Sequence, residues 1–165
     1  MEVSGHVTAI FLGTLSLSAF LLPTAAKARD NMCSNIAEFA ASSESGQSHS
    51  IVLRGGWGGD TKETLMTHEC LYSGFAPGKK LCAYLLPHSS WEFGQHNAER
   101  AVACLDSGGR KEFLDQLNSK HPDAEITSSL RLLKDPDVRV TLHYEQPGGA
   151  SISVLTIFVI RNDAK

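Results

Sequence analysis

Four cysteines are the residues of this chain best suited to chemistry. Thiolates can hold zinc, exchange disulfides in a redox cycle, or form structural disulfides. Zinc and redox sites usually contain a C-x2-C pair, and the spacings here contain none. An even number of cysteines behind a segment with the pattern of an export signal therefore predicts structural disulfides rather than a metal site. The cysteines are Cys33, Cys70, Cys82 and Cys104.

The spacing of these cysteines favours one pairing among the three that are possible. Cys70 and Cys82 flank a predicted turn with eleven residues between them, so a local bond closes easily. That choice leaves Cys33 to pair with Cys104. The alternative joins Cys82 to Cys104 and Cys33 to Cys70. In either case each bond is expected to add about 2–4 kcal/mol of stability.

A glycine-rich segment, GGWGG at residues 55–59, is the second candidate for chemistry. Free backbone N–H groups between a strand and a helix can cradle a phosphate. The segment matches neither G-x-x-x-x-G-K-[ST] nor G-x-G-x-x-G, so an ordinary turn is the simpler interpretation. Trp57 at its centre either folds onto the core or is displayed to solvent. If it is displayed, Trp57 is predicted to contact a ligand or partner.

Histidines offer a catalytic alternative. His88 or His96, with the acidic neighbour Glu92, could act as the general base of a small exported hydrolase. The sequence contains no H-E-x-x-H and no G-x-S-x-G motif, and it pairs no nucleophile with a base. We therefore assign no catalytic residue and favour a non-enzymatic binding or interaction protein, with the hydrolase as the alternative.

Residues 1–28 have the features of a signal peptide. Residues 7–22 form an uncharged, largely apolar run, and Ala26 and Ala28 match an A-x-A cleavage site. No Lys or Arg precedes the run, so an uncleaved N-terminal anchor is the alternative. Cleavage after Ala28 would leave residues 29–165 as a single small domain, periplasmic or secreted.

The charge balance limits the partners of this domain. A formal net charge of −3 does not favour binding to nucleic acid or to anionic lipid. No cofactor motif is present in the sequence. We therefore expect a protein partner in the cell envelope or outside it, no nucleic acid, and no membrane contact after signal cleavage. Self-association through an exposed edge strand is a further possibility.

Apolar periodicity predicts helices in the first two thirds of the domain. A capping box at residues 89–92 precedes the clearest one, whose apolar stripe includes Trp91, Ala98 and Leu105. We expect this helix to end at Gly108 and Gly109. Residues 79–86 fit a helix or a strand equally well. Further helices are expected at residues 31–41, 61–72 and 110–119.

The clearest helix also contains Asn97, whose helix propensity is poor. Together with Glu92 and Arg100 it would form either a solvated polar face or a buried polar bond that ties the helix to the sheet.

Strands are predicted at residues 50–54, 126–133, 138–145 and 152–160. The third alternates strictly between apolar and polar residues, as in a sheet with one wet face. The last is apolar on both faces, so it should be central or covered by helices. The fold class is therefore α+β, with N-terminal helices packed on a C-terminal three-stranded antiparallel meander and reinforced by disulfides.

Overall fold

The structure, a computed structural model, describes residues 30–56, 67–87, 93–106, 108–147 and 152–163. This part of the chain contains four helices and five strands, which confirms the α+β class. In chain order they are α1 Met32–Ala41, β1 Ser48–Gly56, β2 Thr67–Leu71, α2 Ala76–Leu85, α3 Phe93–Val102, α4 Arg110–Leu117, β3 Asp123–Ser128, β4 Val138–Glu145 and β5 Ile152–Arg161.

The prediction of a three-stranded sheet is wrong, because the described sheet has five antiparallel strands in the order β2-β1-β5-β4-β3. The predicted meander is present as β3, β4 and β5. β1 pairs with β5 along its whole length, from Ser48 opposite Ile160 to Gly56 opposite Ile152. β5 is therefore central, as its two apolar faces indicated.

The helix predicted over residues 61–72 is wrong where the structure describes it, since Thr67–Leu71 forms β2. Its backbone hydrogen bonds are made with β1, with Leu53 opposite Cys70. Pairing with a distant strand overrides the weak local preference for a helix. The ambiguous residues 79–86 belong instead to α2, which has Pro77 in its first turn and buries Leu81 and Leu85.

The other helices follow the sequence pattern closely. α1 and α4 lie where they were predicted, and α3 buries Ala98. The capping box and Trp91 lie outside the described residues. α3 ends at Val102, before the glycines, because the following residues pair with the segment after β3. There Leu105 forms a β-bridge with Leu130. The strand predicted over residues 126–133 is displaced, since β3 spans Asp123–Ser128 and so begins and ends earlier.

The described helices cover one face of the sheet. α3 contacts β1, β4 and β5, α4 contacts β3, α2 contacts β1, and α1 contacts β4. Gly94 permits the close approach of α3, because a Cβ atom there would lie 2.5 Å from Ser153 Oγ and 3.0 Å from the Tyr144 ring. Buried residues with two-residue periodicity, such as Leu155 and Ile157 of β5, form the core beneath these helices.

Both disulfides lie on the helix-covered side. Cys33 of α1 is bonded to Cys104, and Cys70 of β2 is bonded to Cys82 of α2. These are the two pairs that the sequence spacing favoured. Two structural disulfides are typical of proteins that fold in an oxidising compartment. Among the described helices, none combines the length and the apolar character that crossing a membrane requires.

Candidate functional site

The second face of the sheet, here called the outer face, has no described helix or strand packed on it. It consists of the side chains that alternate with the buried ones. In β5 the buried residues are Leu155, Ile157 and Val159, so the even-numbered residues project outward. In β4 the burial pattern likewise places the odd-numbered side chains outward.

Apolar residues form a stripe along the middle of the outer face. Leu71, Ile152 and Ile160 expose 40%, 48% and 36% of their surface, which is high for large apolar side chains. Among the described residues, the only other large exposed hydrophobic is Leu132, which lies between β3 and β4. The stripe consists of Leu71, Val52, Ile152, Val154, Phe158 and Ile160.

Strand register makes this stripe continuous. Leu71 of β2 lies directly opposite Val52 of β1. In β5 the outward residues are apolar except for Thr156, which lies opposite Val52, and the exposed Arg54 of β1 lies opposite Val154. Val52 therefore reaches the apolar residues of β5 along the diagonals to Val154 and Phe158. Directly opposed and diagonal neighbours in a sheet lie close enough for their side chains to touch. The outer face therefore presents a row of apolar residues on β5, joined diagonally by the pair of Leu71 and Val52, with Arg54 and Thr156 as polar neighbours.

Polar residues border the stripe on the β4 and β3 side. His143 Nε2 lies 3.0 Å from Asp123 Oδ1, and the hydroxyls of Thr127 and Thr141 are 2.8 Å apart. The charged residues of this border include three carboxylates and one arginine: Asp123, Glu125, Glu145 and Arg139. An apolar centre with a charged border is the usual composition of a protein-binding surface.

The pair of His143 and Asp123 is the described arrangement that most resembles a general base. Catalysis of acyl transfer would also need a nucleophile within hydrogen-bond reach of the imidazole. The nearby threonine hydroxyls bond to each other instead. Among the described side chains of this half of the sheet, no nucleophile is hydrogen-bonded to His143.

A separate polar cluster joins the start of the described chain to α2 and α3. The Arg100 guanidinium donates two hydrogen bonds to the Asp30 carboxylate, of 2.8 and 2.7 Å, and one of 2.9 Å to Tyr84 Oη. Tyr84 in turn donates to Asp30 at 2.6 Å. Asn97 Oδ1 accepts a further bond from Arg100 at 3.0 Å. Asn97 is fully buried.

The electrostatics of this cluster follow from its hydrogen bonds. The Arg100 guanidinium holds the pKa of Asp30 well below its usual range, although partial burial opposes this effect. Hydrogen bonds to Asp30 raise the pKa of Arg100, and burial raises the pKa of Tyr84. Because these charged groups are bonded to one another, the cluster stabilises the fold. Its hydrogen bonds join Arg100 and Asn97 of α3 to Tyr84 of α2 and to Asp30, which precedes α1.

The residues proposed from sequence fall in three groups. Trp57, His88 and Glu92 lie outside the described residues. His96 lies on α3, and no hydrogen bond joins it to a carboxylate within the described part of the chain. The four cysteines are all bonded in disulfides, which removes them as ligands. No described group of three or more His, Cys, Asp or Glu residues is arranged to hold a metal ion.

Sequence reasoning missed the outer face as a site, although a signal for it was present. The apolar residues on both faces of residues 152–160 were attributed to a strand that is central or covered by helices. The strand is central, but the described helices cover only one of its faces. No described helix therefore covers its outward apolar residues.

Comparisons with known proteins give no match to this chain. No family model matches it, and neither the curated proteins nor the solved structures contain a significant match. Its function is therefore inferred from its own residues.

Proposed function

We propose that this chain is an exported, non-enzymatic binding protein, periplasmic or secreted, that recognises a partner protein with the outer face of its sheet. Residues 1–28 serve as the signal peptide, and residues 29–165 form the mature domain. The two disulfides support export, because such bonds persist in oxidising compartments. The exposed apolar stripe is the observation that most supports binding.

The stripe favours a protein partner over a small ligand. It runs along a sheet face and includes residues from three strands, β2, β1 and β5. Small ligands prefer concave sites that bury most of their surface. Protein interfaces instead combine a central apolar patch with a polar border, and contacts at the centre supply most of the binding energy.

Charge further defines the partner. The β4 and β3 border has more carboxylates than cations, and its arginine, Arg139, lies opposite the end of β5. Electrostatic complementarity predicts a partner whose contact surface has an apolar centre and basic groups on the side that meets Asp123 and Glu125. Association should therefore be faster at low salt than at high salt.

Trp57 extends this proposal. It follows Gly56 directly in the chain, and Gly56 pairs with Ile152, the most exposed residue of the stripe. Tryptophan is among the residue types that most often supply the binding energy of protein interfaces. We therefore include Trp57 in the proposed contact surface.

A cross-linking capture from the native envelope fraction, with the oxidised protein as bait, tests the proposal. The test variant combines Leu71→Thr, Ile152→Thr and Ile160→Thr, since threonine keeps the preference for a strand while removing the apolar surface. The matched control is Leu132→Thr, which removes a side chain that is 62% exposed but lies outside the sheet.

We expect wild type and the control to capture one stoichiometric partner, and the triple variant to lose it. Cross-linked peptides should come from β5 and β1. Capture that survives in the triple variant would overturn the proposed surface. A second copy of this chain as the captured species would support self-association instead.

A further inference from the structure

β3 is an edge strand of the described sheet. It ends the strand order β2-β1-β5-β4-β3, so only one of its two edges is paired, and its partner there is β4. The other edge, here called the open edge and formed by residues 123–127, has no described strand beside it. Unpaired backbone N–H and C=O groups along such an edge are a template for a further strand.

The alternation of hydrogen bonds identifies the outward backbone groups of β3. Gln146 N–H donates to the carbonyl oxygen of Pro122 at 3.1 Å, so these residues continue the register of β3 and β4 as a hydrogen-bonded pair. Hydrogen-bonded and non-hydrogen-bonded pairs alternate along antiparallel strands, so Ala124 and Ile126 bond to β4. The odd-numbered residues direct their backbone groups away from β4, where these make no hydrogen bond within the described residues. They are Asp123, Glu125 and Thr127.

The chain itself pairs a short segment with the continuation of this edge. Asp106 N–H donates to the carbonyl oxygen of Ser129 at 2.9 Å, and the adjacent bridge between Leu105 and Leu130 is antiparallel. Ser129 is odd-numbered, as are the residues with outward groups, so this bond lies on the same side of the strand. Within the described residues the backbone pairing stops at Ser129 and leaves residues 123–127 open.

Side chains beside the open edge define the chemistry of a strand that fits it. Asp123 and Glu125 are the charged residues of β3, and both are exposed on the outer face. Side chains of directly opposed residues lie on the same face of a sheet, and opposite charges at such positions are favourable. An added strand would therefore be stabilised by lysine or arginine at every second position.

A second copy of this chain fits the open edge less well. Antiparallel pairing of two β3 strands about a two-fold axis near Glu125 would bring the carboxylates of both copies side by side, which destabilises a sheet. We propose that the open edge binds an extended segment of a partner protein, with basic residues at alternate positions, as an additional antiparallel strand. This inference rests on the proposed function only in taking the partner to be a protein.

Hydrogen exchange and NMR titration of the purified, oxidised protein test the open edge. In the free protein, the outward amides of Asp123, Glu125 and Thr127 should exchange faster than those of Ala124 and Ile126, which bond to β4. The probe is a short capped peptide in which lysine and valine alternate. We expect it to bind saturably, with a Kd of about 1 mM or lower, and to slow exchange of the three outward amides.

Backbone methylation of the probe separates strand addition from simple attraction between charges. Lysines placed opposite Asp123 and Glu125 in an antiparallel strand direct their own N–H groups toward β3, whereas the valines direct theirs away. Methylation of the lysine backbone nitrogens should therefore weaken binding at least about tenfold, since several hydrogen bonds are lost. Methylation of the valine nitrogens should leave the Kd nearly unchanged, although both methylated peptides have the same charge.

Two substitutions at one position separate the backbone of the edge from its charge. Glu125→Gln keeps the N–H group and should weaken peptide binding about threefold through loss of one charge pair. Glu125→Pro also removes the N–H group and should weaken binding more than about tenfold. Its fold should survive, because this N–H is not bonded to β4 and proline is tolerated on the solvent side of an edge strand. Melting temperatures check this.

Four results would overturn the proposal. The lysine–valine peptide could fail to bind saturably, or its two methylated forms could bind equally, which would reduce the interaction to charge. Uniform protection of residues 123–127 in the free protein would show that the edge is already covered. Protection of the outward amides that grows with protein concentration would mean that a second copy occupies it.

The same titration distinguishes this proposal from the proposed function. The triple variant Leu71→Thr, Ile152→Thr and Ile160→Thr changes no residue of β3, so it should bind the peptide as wild type does. Failure of the peptide to bind therefore leaves the partner capture by the outer face untouched, and loss of capture leaves the open edge untouched.

Discussion

The two faces of the sheet are formed by the same strands but differ in burial and in residue composition. On the inner face, alternate residues such as Val140 and Ile157 are completely buried beneath the helices. On the outer face, β4 presents polar residues, whereas the neighbouring β5 presents mainly apolar ones. Since β4 shows that polar residues suffice there, folding alone does not require the apolar residues of β5. The inner face therefore maintains the fold, and on the outer face no described helix covers the apolar residues of β5.

The largest expected difference between the faces concerns two isoleucines of β5. Ile157→Ala should lower the free energy of unfolding by about 4 kcal/mol, since it leaves a cavity in the core. Ile160→Ala, on the outer face of the same strand, should change it by less than about 1 kcal/mol. Urea unfolding of both variants measures the difference. Equal losses would show that the outer face is also covered.

The disulfides allow a comparison within the helix-covered side. Cys33–Cys104 closes a sequence separation of 71 residues and Cys70–Cys82 one of 12. The loop-entropy model gives about 4.4 kcal/mol for the first bond and about 2.8 kcal/mol for the second. Removing both cysteines of each pair should therefore cost about 1.5 kcal/mol more for Cys33–Cys104. Calorimetry of the two double alanine variants checks the order, and the reverse order would contradict the entropic explanation.

The Asp30 cluster should make stability depend on pH. Arg100 lowers the pKa of the Asp30 carboxyl in the folded state. The contribution of Asp30 to the free energy of unfolding is therefore complete above the pKa of an unfolded aspartate, about 4, and is lost as the pH falls further. Asp30→Asn should cost about 1 kcal/mol at neutral pH, a figure reduced for the solvent exposure of the carboxylate. The gap between variant and wild type should narrow under acid conditions.

Unfolding curves at neutral and acid pH measure that gap. Asp115→Asn is the control, because Asp115 forms an exposed pair with Lys111 and should not reproduce the effect. A gap that widens on acidification would mean that the sign of the Asp30 contribution is wrong.

The smallest expected effect on stability belongs to the outer face. The triple variant Leu71→Thr, Ile152→Thr and Ile160→Thr should stay within about 1 kcal/mol of wild type, since these side chains are already exposed. Its loss of partner capture would then be a loss of binding and not of folding. A large fall in melting temperature would show that the stripe belongs to the core, and would remove the main support for the proposed function.

The elements predicted well are those whose signal is local. The strict alternation of β4 and the apolar spacing of α1 and α4 depend on neighbours in sequence, and each lies where it was expected. Local patterns predict a helix at residues 67–71, but these residues form a strand because they pair with β1. That pairing leaves no signal in the local sequence. The end of α3 was misplaced for the same reason, since Leu105 pairs with Leu130.

The candidate site was likewise predictable only where its signal is local. The alternation in residues 138–145 predicts one wet sheet face, and the two apolar faces of residues 152–160 predict a central strand. Neither pattern shows that the outward apolar residues lack a described cover.

The sequence by itself determined the local propensities, the cysteine spacing that favoured the two disulfides, and the alternation that gives β4 its inner and outer sides. Only the tertiary structure decided that β1 and β2 extend the sheet, that the described helices cover one face, and that Asn97 supports Arg100. The physical reason is that the periodicity of apolar residues shows only which residues of a segment lie on the same face of its own helix or strand. Which distant segment covers each face depends on the packing of the whole chain.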